Sequence, residues 1–519
     1  MEIKTNVTYS KSVRCSDVYT ESQTDYVLPD YMSDMRKILF TDASLRPSGR
    51  FAGGDQVEFS GIVVYNVIYL DSDGEISSVE FSSDYDYSLK CSGDGYGDSI
   101  ADTRVPNYAV RLVGPRKISA KASLAGSVRL SENCSLSVSG NAFDGDASPE
   151  INTGSIKMRS TGISSVVERE YAEPLTRLDG AIADEVRVIY PSAEVMVDDI
   201  VSDGESVTMK GKLRMRAIIK NADEVACGVE KLVGFEENLD FDGAEALVGF
   251  VPKLSVCSVK TSVNADESGC EIVMSVILEL CALGEGNQSV DVVFDGYLKD
   301  APTDTSYENM QYSRLVDTRS LRTTHSAEIS RADIESEGLR EVIFLTSTPK
   351  VEQVECENGR VTIEGEVRYS GVASEMVGDK ISYTYVKFSA PFTINSDVEC
   401  ENSDNLHVEV ELKSSGASAS LDEDRLYATC TLDCVVMAVE DSSCRILSSM
   451  SRREGESFAS SKSVVTVYYP SDEDTLFSVA KRFHTSGLKV ARDNDISDAV
   501  FAADNPSGKL VGVKKLFIY

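Results

Sequence analysis

Residues 57–70 read VEFSGIVVYNVIYL, and the chain writes that strand twice more, as VTMKGKLRMRAIIK over 207–220 and VTIEGEVRYSGVAS over 361–374. Gly61, Gly211 and Gly365 fall at the same step, 150 and then 154 residues apart. Alternate positions around each glycine are apolar: Val57, Phe59, Val63 and Tyr65; Val207, Met209, Leu213 and Met215; Val361, Ile363, Val367 and Tyr369. A period of two is a strand with one buried face. The opposite face carries Lys210, Lys212, Arg214 and Arg216 in the second copy and Glu364, Glu366 and Arg368 in the third, which predicts one wet side. In the first copy Ile62, Val64 and Ile68 predict cover on both sides. Glycine inside a strand marks a bulge or another backbone passing close by.

The frame around the strand also recurs. A turn glycine precedes each copy (Gly54, Gly204 and Gly359), and a short apolar run lies 22 or 23 residues before the strand glycine, at Ile38, Val188 and Ile343. A phenylalanine follows at Phe81, Phe235 and Phe388, and each copy ends in alternating segments. The reading is a unit of about 150 residues used three times. Each copy is mostly strand, which packs as a sandwich or a partly closed barrel. One helix is expected in the first copy, in PDYMSDMRKIL (29–39), with Met32, Met35, Ile38 and Leu39 on one face. Linkers are expected at 140–155, 299–311 and 448–463, giving units at 1–140, 156–298 and 312–447 and a tail at 463–519. The tail reads as strand, a helix opened by Asp474, a second helical stretch, and a closing strand in GKLVGVKKLFIY.

With 519 residues and 42% apolar content, the chain can bury real cores. The N-terminal MEIKTNVTYSKSVRC lacks an apolar signal region, and no apolar run reaches membrane-spanning length, so a cytosolic protein without a transmembrane segment is expected. A net charge of −34 excludes a nucleic-acid surface and disfavours anionic lipid. It suits a soluble acidic body, or a partner with a basic surface. The twelve cysteines are scattered with no CxxC pair and read as buried free thiols, with Cys430 and Cys434 on one strand face.

Three dispersed histidines, His325, His407 and His484, give no catalytic base with neighbours, and no hydrolase, zinc-protease or phosphate-loop signature occurs. GDGYGD (93–98) reads as a mobile hairpin loop, and DSDGE (71–75) as a hairpin turn at Asp73-Gly74. LDEDRL (421–426) and DNDISD (493–498) read as solvated acidic faces. No catalytic, cofactor or metal site is expected, so the chain is read as not an enzyme.

The tail resembles a LysM module. The matching residues are Asp474, Thr475, Leu476, Phe477, Ser478, Val479 and Ala480, then Phe483, Asn494, Ile496, Gly512, Leu516 and Ile518. Helical geometry places Leu476, Val479, Ala480 and Phe483 in the tail's core and Phe477 at its edge. The front resembles the SPOCS domain (DUF3794): LPDYMSDMRKIL (28–39) is similar to that family's L-P-D signature, with Ser33 where the family has a second proline, and residues 60–81 resemble its strand-turn-strand. SPOCS-type units followed by one LysM module resemble the SipL-like spore coat morphogenetic family.

The resemblance implies a mainly β protein of three tandem sandwich-like units and a small βααβ LysM domain. It also implies a non-catalytic scaffold of sporulation on the mother-cell side of the forespore surface. There the LysM module would bind the SpoIVA-type ATPase that polymerises as the coat's basal layer. Asp474, Thr475, Leu476, Phe477, Lys481, Asn494 and Ile496 are the implied partner-binding residues, with Phe477 as anchor. The other reading of the tail is binding of peptidoglycan, an N-acetylglucosamine polymer, beside the Asp-Thr-Leu turn. Glu473 stands there at the family's glycine, adding a side chain and a charge. Self-assembly, or contact with other coat proteins, through uncovered strand edges is the third reading, opposed by the negative charge.

Overall fold

The computed structural model describes residues 6–53, 56–90, 96–140, 142, 149–203, 206–222, 225–241, 247–334, 338–399, 405–422, 424–454, 456, 458, 465–496, 509–510 and 512–519. Gly54, Gly204 and residues 1–5, 93–95, 141, 143–148, 423, 455, 457, 459–463, 497–498, 508 and 511 of the stretches singled out above lie outside these. The chain is mainly β, with two short α-helices among the described residues, both in the tail.

The first unit has six strands: β1 (Asn6–Val27), β2 (Met35–Gly53), β3 (Gln56–Asp71), β4 (Ile76–Lys90), β5 (Tyr96–Gly114) and β6 (Lys117–Ser137). They form two antiparallel sheets, β2-β3-β4 and β1-β6-β5. The second unit repeats this plan, its first strand divided into β7 (Glu150–Ile163) and β8 (Val167–Asp179). Its remaining strands are β9 (Val186–Ser202), β10 (Ser206–Asn221), β11 (Cys227–Asp240), β12 (Leu247–Asp266) and β13 (Gly269–Tyr297). Both β7 and β8 pair with β13, beside β12, and β9-β10-β11 is the facing sheet. The third unit has β14 (Thr303–Ser330), β15 (Leu339–Glu357), β16 (Arg360–Val377), β17 (Lys380–Asp397), β18 (Leu406–Leu421) and β19 (Arg425–Arg452). Its sheets are β15-β16-β17 and β14-β19-β18. In each unit the alternating apolar residues of the two sheets meet in one core. β7 and β14 begin, and β19 ends, inside stretches expected as linkers.

The three glycines sit on the middle strands β3, β10 and β16. Each lies directly opposite an aromatic ring of the next strand: Gly61 opposite Tyr85, Gly211 opposite Phe235, Gly365 opposite Phe392. A Cβ at any of the three would collide with a carbonyl of the preceding strand (Arg46, Met196 or Lys350) and with that ring. A bulge in the preceding strand falls at the same step each time. Bulge and close approach are therefore both present. The recurring phenylalanines need realignment: Phe81 and Phe388 lie opposite Tyr65 and Tyr369, four residues on, so Phe235 matches Tyr85 and Phe392 instead.

The other faces of the three middle sheets converge on a pseudo-three-fold axis. β4 touches β9, β11 touches β15, and β17 touches β2, closing a ring. Phe40, Tyr190 and Phe344, each 21 residues before its glycine, pack ring to ring at centroid distances of 5.1 to 5.9 Å. Ile68, Ile218 and Val372 lie opposite them and share the same buried cluster. The wet face expected on the middle strands holds at Glu364, Glu366 and Arg368 in the third unit, and is corrected in the second unit towards the axis. Lys210 and Lys212 are exposed, but Arg214 and Arg216 are buried, as are Val372 and Ala373. Arg214 donates to Glu230 and to the Ala417 carbonyl, and Arg216 to the Leu345 carbonyl, so both cations tie the second unit to the third.

The helix expected at 29–39 is absent. Residues 30–32 form a turn, and Met35 opens β2. Arg116 holds the loop, donating to the carbonyls of Met32, Leu28 and Pro29 and to Asp34. Register shifts between Met35 and Lys37 and between Ile38 and Phe40 turn Met35 and Ile38 to the unit's core, and Leu39 with Phe40 to the axis. Two bulges in a strand thus imitate helical spacing.

Candidate functional site

The tail comprises β20 (Thr466–Tyr468), α1 (Leu476–Arg482), α2 (Gly487–Asp493) and β21 (Leu516–Ile518), with β20 and β21 antiparallel. Thr475, rather than Asp474, caps α1: its Oγ1 accepts the Ser478 amide at 3.0 Å, and the Ser478 hydroxyl accepts the Thr475 amide at 3.0 Å. Asp474 locks the preceding turn, its Oδ2 accepting the Ser471 amide (2.8 Å), the Ser471 hydroxyl (3.0 Å) and the Tyr468 hydroxyl (2.9 Å). The Ser471 amide first, then the Tyr468 hydroxyl, hold its carboxyl below the ordinary range. Leu476, Val479 and Ala480 are buried with Val490, Ala491, Leu510, Leu516 and Ile518, while Phe483 packs against them half-buried. The Asn494 amide group donates to the carbonyls of Val490 and Phe517, and its oxygen accepts the Phe517 amide, tying the end of α2 to β21. Ile496 packs half-buried against the same core.

Phe477 and Lys481, one turn apart on α1, face the second sandwich. The Phe477 ring meets Tyr297 edge-on at 5.3 Å between centroids. The Lys481 ammonium lies 2.7 Å from both carboxylate oxygens of Asp295, and the Tyr297 hydroxyl donates to the Thr485 carbonyl at 2.6 Å. Asp295 is itself aimed by the Tyr307 hydroxyl and the Gly296 amide, each at 2.7 Å. Of the seven residues implied as partner-binding, then, Leu476 is interior and Asp474, Thr475 and Asn494 hold the turns. Ile496 supports the core, and Phe477 with Lys481 forms a contact surface. Asp295 and Tyr297, in FDGYLKD (294–300), carry no sequence signal of this role: an aspartate and a tyrosine at a strand end resemble any other.

Glu473 pairs with Lys509 at 3.3 Å, and Thr475 bridges Lys509, so the turn before α1 is joined to the strand-like residues before β21.

Elsewhere the structure assembles two polar clusters that spacing did not foretell. In the third sandwich, His325 Nδ1 lies 2.8 Å from the Tyr369 hydroxyl, which donates to Cys430 Sγ at 3.3 Å. All three are buried, and burial pushes the Cys430 thiol up, while that of Cys434 is pushed up to about 12. Such a chain orders a core and holds its thiol protonated. The thiols are not uniformly interior, since Cys227 is exposed. Between the second and third sandwiches, Arg159 bonds Glu409 through both terminal nitrogens (3.0 and 2.9 Å) and Glu285 through Nε (2.8 Å). Burial opposes the charge on Arg159, but Glu409 and Glu285 keep the guanidinium above its ordinary pKa. Among the described residues, no group of three or more His, Cys, Asp or Glu is placed to hold a metal, and no helix is long and apolar enough to cross a membrane. DSDGE closes the β3–β4 hairpin, with Gly74 at φ 85° and Asp71 Oδ1 accepting the Asp73 and Glu75 amides.

By its fold this is a mainly β protein, three sandwiches in a ring with a small βααβ tail. Comparison with family models, curated proteins and solved structures returns no match.

Proposed function

We propose that the chain is a non-catalytic scaffold of spore coat assembly, tethering the coat's basal layer at the forespore surface through protein binding by its LysM-like tail. A SpoIVA-type ATPase is the partner, and the site of action is the mother-cell cytoplasm. The observation that carries this reading is the tail itself: a βααβ core, built from the tail's own residues but for Tyr297, whose Asp-Thr-Leu turn is fixed by Asp474 and capped by Thr475. Phe477 and Lys481 supply an aromatic ring and a cation on one helix face, the chemistry of an interface hot spot. Leu476 and Asn494 act through the shape of the turns, Ile496 through the core beneath. The net charge of −34 suits the body of a soluble scaffold, leaving the tail to make the contact.

The second reading, peptidoglycan binding, needs a backbone open to a sugar beside the turn. The Glu473–Lys509 pair across that turn counts against it. The test is a pulldown of the full chain on the purified ATPase and on insoluble peptidoglycan, side by side. Capture by the ATPase alone, weakened about tenfold or more by Phe477→Ala, is the expected result. Retention on peptidoglycan alone would overturn the tether.

A further inference from the structure

The face of α1 that carries Phe477 and Lys481 is already occupied in this chain. Tyr297 covers the ring, Asp295 neutralises the cation, and the Tyr297 hydroxyl takes the Thr485 carbonyl. We propose that the second sandwich latches the tail, so that the Phe477–Lys481 face meets an outside partner only after the tail leaves Asp295 and Tyr297. This rests on the tail's role in partner capture proposed above.

Three features make the contact releasable. Eight of the nine buried residues of the tail's cluster are its own, so undocking removes one side chain, Tyr297, from that interior. The ion pair is half-exposed, with side-chain exposures of 37% for Lys481 and 27% for Asp295, and pairs of that kind are weak and salt-sensitive. Thirteen residues separate Arg452 at the end of β19 from Thr466 at the start of β20, a reach of up to about 45 Å when extended. The seat, by contrast, is rigid: Asp295 is held by Tyr307, and Tyr297 closes the register of β13 with Glu150 of β7. A fixed seat and a tethered body with a core largely its own have the form of a two-state element.

The chain contains no tryptophan, so Phe477→Trp supplies a single fluorescent reporter at the contact. In the full chain at low salt its emission is expected at a buried wavelength. Adding Asp295→Lys, or raising the salt, should move it to the red. With Phe477 intact, Asp295→Lys should bind the purified SpoIVA-type ATPase about five- to tenfold more tightly than the unaltered chain. A solvent-exposed emission in the single reporter variant would overturn the latch. So would buried emission that survives both Asp295→Lys and the double change Asp295→Lys with Tyr297→Ser. Equal affinity of the two forms for the ATPase would overturn the gating. Capture of neither form would sink the proposed partner, while the red shift would still establish the docking itself.

Discussion

At the pseudo-three-fold axis thirteen buried side chains from all three sandwiches interlock, three of them aromatic rings in mutual contact. Where the tail meets the second sandwich, the described residues contribute one buried side chain, Tyr297, with its ring contact and hydrogen bond, and one half-exposed ion pair. Apolar burial of the first kind is lost only by unfolding, at roughly 1.5–3 kcal/mol per large side chain. In the second only the half-exposed ion pair is open to water and salt. The axis makes three repeats into one body, and the tail stays a separate body resting on it.

The largest effect is expected at the glycines. Gly365→Val drives a branched side chain into the Lys350 carbonyl and the Phe392 ring, both backbone and core. A loss of about 5 kcal/mol or more, read as failure to recover folded protein, is expected. Phe344→Ala opens a cavity at the axis and should cost about 4 kcal/mol in urea unfolding, whereas Asp295→Lys should leave the same midpoint unmoved. Arg159→Met strands Glu285, which is 0% exposed, and should cost about 3 kcal/mol, read as a lowered urea midpoint.

The smallest effect is confined to the tail. The carboxyl of Asp474 is depressed in the folded state, so its contribution is present above the unfolded carboxylate value of about 3.9 and is lost as pH falls through the lower folded value. The protection of the Ser471 amide, taken relative to its intrinsic exchange, should therefore fall below about pH 4. Asp474→Ala, which removes the acceptor, should lack that protection at every pH.

What the sequence made legible follows from how local each cause is. A glycine under a passing backbone repeats at fixed spacing because the same collision recurs at Gly61, Gly211 and Gly365. The tail was readable because Thr475, Leu476 and Val479 act within one turn of each other. The axis was hidden because bulges at Leu39, Ile189 and Ile343 shift parity in the strands before the glycines, making Met35 to Phe40 look helical, and because Arg214 and Arg216 share a strand face with the exposed Lys210 and Lys212. The seat at Asp295 and Tyr297 was hidden for another reason. It joins residues nearly 190 positions apart, and a lone carboxylate carries no mark of its partner.

The contact of β17 with β2 means that the last sandwich returns to the first. An open stack of repeats can gain or lose a member at either end, but a closed circle of three has no free end at which a fourth could be added. The repeat number is thereby set by geometry. A single unit cut from this chain would present its share of the axis, one aromatic and one aliphatic at the centre, to two identical neighbours. The covalent protein is thus the fused counterpart of a homotrimer.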